Sequence, residues 1–167
     1  RNPLGFAAIP GRRFVNVADD VRLGDDVAIY EFTNLYGCAI GDGSRIGTFV
    51  EIQRGAVVGR RCRIQSHPFF FDGVTTEDDV FVGHGVMFIN DRHPAAVKAD
   101  GALTGPNDWT CEPTLVRRRA NIGSGAVLLC GVEIGEGALI GAGAGVTSHV
   151  AAGLRVVWAA ARPLALP

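Results

Sequence analysis

Every sixth residue of this 167-residue chain is aliphatic or large and apolar over most of its length. From Ile40 the series runs Ile40, Ile46, Ile52, Val58, Ile64, Phe70, Thr76, Val82, Phe88; it resumes as Val116, Ile122, Leu128, Ile134, Ile140, Val146. Four residues after most of these stands a small or apolar residue, among them Ser44, Val50, Ala56, Cys62, Ala120, Val132 and Ala138. A period of six matches neither the 3.6 of a helix nor the 2 of an ordinary strand. It predicts a solenoid of six-residue repeats, in which three hexads close one triangular coil of about 18 residues. Strands of successive coils then pair in parallel about 4.8 Å apart. The aliphatic residues and the small ones four later point inward. A weaker phase starts earlier, at Val17, Leu23, Ile29 and Leu35, with one residue dropped before Ile40. About six coils are expected, with residues 1–16 as a lead-in, 17–150 as the solenoid and 151–167 as a tail running over the last coil.

The repeat breaks between Phe88 and Val116. Residues 91–114 carry Pro94, Gly101, Gly105, Pro106, Asn107, Asp108 and Pro113, the composition of a loop. An insertion of that length in a compact domain serves a function or is disordered, and Trp109 within it argues for function.

Composition narrows the classes. A net charge of −1 is poorly matched to a nucleic-acid surface. No apolar run reaches membrane-spanning length, since Arg155, Arg162 and Pro163 interrupt the longest one. Cys38, Cys62, Cys111 and Cys130 have neither metal-ligand nor disulfide-framework spacing, and Cys62 falls at an interior position. No secretory segment is apparent, so a cytoplasmic place is expected. The start at Arg1 without Met suggests that residues precede it.

Several segments are specific beyond the repeat: Asn34-Leu35-Tyr36-Gly37-Cys38, Phe49-Val50-Glu51-Ile52-Gln53, Gly83 to Asp91, and Asp108-Trp109. In these the chain resembles the left-handed parallel β-helix acyltransferases, and among them the N-acetyltransferases of nucleotide-linked amino sugars. The resemblance covers nearly all of residues 17–150. It implies a left-handed coil and a homotrimer with acetyl-CoA as co-substrate in clefts between subunits, and no metal. The N-terminal and middle coils would hold a UDP- or dTDP-linked amino sugar, the coils from Val116 to Val150 the CoA arm. Relatives commonly end in Gly-Asn-Pro-Ala-Arg where this chain reads Trp158-Ala159-Ala160-Ala161-Arg162, and carry Lys-Asp in place of Ser148-His149. Contacts to the phosphate end of CoA are therefore not carried over.

Residues 18 apart stack in such a coil, so Arg54, Asp72 and Asn90 form one outward column and Thr48, Ser66 and His84 another on a different face. A catalytic pair is expected at Asn90 and His84. An amide can hold an attacking amine without titrating; an imidazole can accept its proton or orient it. Glu51, Gln53, Arg54, His67, Asp72, Asp91 and Trp109 are expected to bind the substrate. Phe70 is in core phase, which leaves Phe69 or Phe71 for stacking or for a subunit contact. Arg119, in the run Arg117 to Arg119, suits a phosphate. Ser124, Gly125, Ala126, Gly143 and Ala144 are small enough for an extended cofactor arm to pass. Plainer roles compete at each position: a solvated face, a turn-forming Asn90, a packing histidine.

Three other functions fit the same coil. An O-acetyltransferase would need His84 as a true base. A metalloenzyme like the γ-class carbonic anhydrases would need three His ligands, but no second His follows His84 closely enough. A non-enzymatic solenoid would leave the loop and Asn90 without a purpose.

Overall fold

The computed structural model describes residues 14–105 and 108–157. The Trp158–Arg162 segment, most of the lead-in, and loop residues Pro106 and Asn107 lie outside the described residues. Among the described residues twenty short strands, from Val15–Val17 to Arg155–Val156, fall into three parallel sheets of seven, six and seven strands. The chain visits them in a fixed cycle, face 1, face 2, face 3, with a single Val150–Ile134 bridge holding face 2 in the last turn, and the coil is a left-handed parallel β-helix. Coils are already paired at Val15 and still paired at Val156.

Register follows the repeat. Phe81 pairs with Arg63, Arg45 with Arg63, and Leu139 with Asn121. One early coil is a residue shorter, since Arg22 pairs with Ala39 and Asn34 with Glu51, the offset that the missing residue before Ile40 predicts. Across the inserted loop the pairing resumes without a slip, with Thr76 opposite Val116 and Phe88 opposite Leu128. The loop is thus an excursion from one corner of an unbroken prism.

Two rows of side chains fill that prism. Ile46, Ile52, Phe70, Val82, Phe88, Ile122, Leu128, Ile134 and Ile140 are fully buried, and so are the small partners Ala120, Ala126 and Ala138. Each large aliphatic removed from water contributes about 1.5–3 kcal/mol, which the short two-residue strands could not supply by themselves. Phe70 and Phe88 lean on each other in successive coils, ring centroids 4.7 Å apart. Ser44, a polar residue inside the core, donates to Gly59 O at 2.8 Å and accepts from Cys62 N–H at 2.9 Å. Cys62 is wholly enclosed, and burial raises its thiol pKa, so it packs rather than reacts.

The glycine after the aliphatic residue has a steric cause. A methyl group at Gly83 would lie 2.6 Å from the Ser124 backbone nitrogen, and one at Gly47 2.6 Å from the Gln65 carbonyl carbon. The coil above sits too close for any Cβ. The corner between faces 2 and 3 is laced by charge instead. Arg60 pairs with Asp78, Arg61 with Asp79, and Arg118 reaches Asp79 from the coil above. All are partly exposed, so each contributes little alone. Arg61, then Arg118, hold the Asp79 carboxyl down at about 2.

Two outcomes are expected. Gly83→Ala lowers stability by about 1–3 kcal/mol in thermal or urea unfolding; Gly137→Asn, at an open corner with φ of +66°, stays close to the parent. Because Asp79 is depressed in the folded state, its stabilisation is present above about pH 4 and is lost as pH falls toward 2. The unfolding midpoint therefore declines less steeply over that range in Asp79→Asn than in the parent.

Candidate functional site

Corner residues rather than strands carry the candidate chemistry, and the corners separate it into groups. The 1/2 corner, between faces 1 and 2, holds Arg54, Asp72 and Asn90 in successive coils, as the spacing predicts. Beside it, Glu51 on face 1 accepts hydrogen bonds from Tyr36 Oη at 2.9 Å and from Gln53 Nε2 at 3.1 Å. Burial and then the neighbouring Glu51 raise the Tyr36 pKa, so its hydroxyl stays a donor. Arg54 does not pair with Asp72. It reaches down instead to Asp20, 2.9 Å away, whose other oxygen accepts the Gly37 N–H. Asp72 is exposed, and its backbone carbonyl accepts from the Cys111 thiol of the loop. The expected substrate residues Glu51, Gln53, Arg54 and Asp72 thus share one corner with Asn90.

Asn90 is the last coil residue before the loop and is half-buried; among the described residues nothing engages its carboxamide. Asp91 caps the turn that follows by accepting the His93 N–H at 2.8 Å. The loop then forms a small hairpin, with Val97 bridged to Leu103, Lys98 N–H bonded to Ala102 O, and Thr104 N–H to Ala96 O. Asp108 fastens its base, accepting the Gly105 N–H at 2.8 Å with Lys98 Nζ 3.5 Å away. Arg92 anchors the whole excursion. It forks onto Glu112, the closer contact 2.9 Å, and also donates to Cys130 O in the next coil. Within the excursion itself lies a cavity of about 410 Å³, its lining drawn from the loop and including Asp91, Arg92, His93, Trp109 and Glu112. Trp109 and Asp91 are therefore wall residues of one cleft, and Asn90 directly precedes Asp91 in the chain. His93, Arg92 and Glu112 were not singled out from sequence. Only the turn after Asp91 and the Arg92 fork bring them to that wall.

His84 and His67 lie elsewhere, on the 3/1 corner. His84 Nδ1 accepts the Ser66 N–H at 3.2 Å, and the His84 N–H donates to Ser124 Oγ at 3.2 Å. Thr48, Ser66, His84 and Ser124 form the expected column. Six residues of extended chain separate His84 from Asn90, roughly 15–20 Å across face 1. Within one chain the two expected catalytic groups cannot both touch one reacting carbon. With Nδ1 occupied as an acceptor, the neutral ring carries its proton on Nε2, which makes it a donor rather than a base in this arrangement.

The expected cofactor residues also divide. Ser124, Gly125 and Gly143 are exposed on the 3/1 corner, and nothing lies within 4 Å of a Cβ placed at either glycine. Ala126 and Ala144 do not join them. Their side chains are buried in the prism, 0% and 2% exposed, because they occupy the inward small position of the hexad. Their backbone amides are already bonded, to Gly123 O and Gly141 O. Arg119 stands on the 2/3 corner, a face away from Ser124. Arg117 bridges Glu77 and Glu133 and Arg118 binds Asp79, whereas the exposed Arg119 guanidinium engages no acidic partner among the described residues. Phe69 and Phe71 tilt against each other on the outside, centroids 4.5 Å apart. Among the described residues no three His, Cys, Asp or Glu side chains come together as a metal site, and no helix is long and apolar enough to cross a membrane.

The Arg92–Glu112 fork predicts a protease phenotype. Glu112→Gln releases one end of the loop, and trypsin then cuts at Lys98 several-fold faster than in the parent, read from the fragments by mass spectrometry.

Residues 113–148 match the model of the bacterial transferase hexapeptide repeat. The bifunctional protein GlmU of Acidithiobacillus ferrooxidans is 30% identical over 144 residues, covering 82% of this chain and 30% of GlmU. GlmU of Heliobacterium modesticaldum is 31% identical over 125 residues, 72% of this chain and 27% of its own. The chain spans less than a third of the length of these curated relatives. Among solved structures, a point mutant of AntD, an N-acyltransferase from Bacillus cereus, superposes with a TM-score of 0.71 at 20% identity, covering 81% of this chain and 78% of AntD. The acetyltransferase domain of PglB from Neisseria gonorrhoeae gives 0.64 at 19%, over 83% and 57%. By its hexad repeat and coil register the chain shares the fold of these proteins, and over residues 113–148 it carries the bacterial transferase hexapeptide repeat.

Proposed function

We propose that the protein is an acetyl-CoA-dependent N-acetyltransferase acting on the amino group of a nucleotide-linked sugar. The observation that carries this reading is the 1/2 corner: Gln53, Asp72 and Asn90, neutral or acidic groups rich in acceptors, stand there in successive coils with Glu51 bonded to Gln53 beside them, and the loop that follows Asn90 encloses a cleft walled by Asp91 and Trp109. Such a set suits the hydroxyls and amine of a sugar. Two similar proteins support the substrate classes. AntD is described in complex with dTDP-4-amino-4,6-dideoxyglucose and coenzyme A, and the PglB domain in complex with acetyl coenzyme A. Both are likenesses at about 20% identity.

The chemistry needs little from the protein beyond positioning. A neutral sugar amine attacks the thioester carbonyl carbon, a tetrahedral oxyanion forms, and the C–S bond breaks to release the CoA thiolate. That thiolate takes up the proton shed by the nitrogen, leaving an amide and free CoA. Asn90 holds the amine or the carbonyl oxygen through its free carboxamide. His84, with Nε2–H as its remaining donor, stabilises developing negative charge rather than abstracting a proton. This arrangement favours N- over O-acetylation, since a hydroxyl acceptor would need a base. Asn90 and His84 serve one substrate only from neighbouring copies, which is how a homotrimer with sites between subunits would use them. Ser124, Gly125 and Gly143 would border the CoA arm there. Use of acetyl-CoA as donor would suit a cytoplasmic enzyme.

The test is thiol release from acetyl-CoA in the presence of UDP- and dTDP-linked amino sugars. Turnover with one of them is expected. Asn90→Ala is expected to lower kcat by about 10²–10³-fold, the effect of losing one donor to a developing oxyanion. His84→Gln, which retains a donor, keeps more activity than His84→Ala. Turnover confined to hydroxyl acceptors would defeat the N-acetyl reading. Mixing Asn90→Ala with His84→Ala after dissociation and reassembly restores part of the activity if the two residues meet across subunits, and none if they act within one chain.

A further inference from the structure

The 3/1 corner also carries a column of rings. Its turning residue has left-handed φ in every coil, and in the lower coils that residue is aromatic: Phe32 at +60°, Phe49 at +56° and His67 at +72°. Their rings form a continuous stack with Phe14. Centroids are 5.0 Å apart for Phe14 and Phe32, 4.9 Å for Phe32 and Phe49, and 4.9 Å for Phe49 and His67, with tilts of 9°, 10° and 24°. The spacing equals the rise of the coil, so each ring fills one storey. The column stands on the surface, with Phe14, Phe32 and Phe49 between 45% and 57% exposed.

Above His67 the column stops abruptly. The next turning residues are Gly85, Gly125 and Gly143, with φ of +63°, +70° and +68°, and nothing lies within 4 Å of a Cβ built on any of them. The corner geometry continues while the rings end. His67 thus closes a four-ring stack, and among the described residues no side chain enters the storey above it. A left-handed φ is unfavourable for a side chain, and glycine would serve more cheaply there. Aromatic residues placed at that cost and then withdrawn above His67 mark a boundary. At the level of the storey above His67 stand His84, whose Nδ1 is bonded to Ser66 N–H, and its remaining donor Nε2–H.

We infer that the storey over Gly85 is a ring slot, in which a nucleobase stacks on the His67 imidazole as the fifth ring of the ladder. Stacking is tolerant of base identity, and a polar edge contact to His84 would orient the base. That the ring is a nucleobase rests on the proposed function. Two sources supply one, the nucleotide of the sugar substrate and the adenine of CoA.

Binding of UDP, dTDP and CoA to the full chain is measured by calorimetry, with inorganic pyrophosphate as the ligand that lacks a base. His67→Ala is expected to weaken the occupying nucleotide by about 5- to 100-fold, with pyrophosphate unchanged and His67→Phe close to the parent. Gly85→Phe is the sharper variant. Phe32 and Phe49 already adopt the required φ, so a phenylalanine at position 85 extends the ladder into the slot, keeps the unfolding midpoint and excludes the base. Losses confined to UDP or dTDP assign the slot to the sugar nucleotide; losses confined to CoA assign it to adenine. If the wild-type chain binds these ligands and both variants bind them equally well, the slot is overturned while the proposed function stands. A wild-type chain that binds none of the three overturns both.

Discussion

Everything in this molecule depends on the vertical pairing of each residue with its counterpart one coil away. Backbone N–H groups of one coil donate to carbonyls of the next, as in Gly47 N–H to Ile64 O and Gly83 N–H to Ile122 O, both 2.8 Å. Strands of two residues are far too short to hold a sheet alone. They persist because every hexad position recurs above itself, so burying one aliphatic residue fixes the register of the next. The same recurrence forces the glycines at close approaches, threads the Asp–Arg ladder up the 2/3 corner and stacks the rings on the 3/1 corner.

That constraint also explains where function can reside. The interior is fully occupied, as Ala126 and Ala144 illustrate: small residues there fill a narrow core and leave no opening. Chemistry is confined to outward corners and to the excursion at 91–112, which leaves and rejoins the prism without altering its register. A triangular coil has three corners. Groups six residues apart in sequence therefore sit a full face apart in space, and groups 17, 18 or 40 apart are neighbours. Gln53, Asp72 and Asn90 share one corner, with Glu51 at its edge, because their spacing brings them there in successive coils. His84 and Asn90 are separated because theirs does not.

Most of the fold was legible in the hexad phase. The aliphatic series marked the core, the missing residue before Ile40 marked the shorter coil, and the break after Phe88 marked the loop. The columns Arg54–Asp72–Asn90 and Thr48–Ser66–His84 followed from the same arithmetic. That arithmetic also contained the separation of His84 from Asn90, since six residues is one face. The Phe32, Phe49, His67 ladder was equally present in the spacing. It escaped notice because the turning position is one where aromatic residues are sterically disfavoured, so their recurrence there carried no familiar signal. The cavity wall of Arg92, His93 and Glu112 had no such spacing. It comes from a fork between Arg92 and Glu112 and a bond to Cys130 O, contacts between segments whose separation follows no repeat.

The sequence by itself therefore determined the prism, because a period of six leaves only one way to bury its aliphatic residues and satisfy its backbone. Tertiary structure alone decided what the exposed groups are paired with. Arg54 chose Asp20 over Asp72, His84 gave Nδ1 to a backbone N–H and so became a donor, and the loop after Asn90 folded back on itself as a hairpin. Periodicity specifies which residues share a column. It is silent on rotamers and on insertions, where a polar side chain selects among several partners within reach by local geometry.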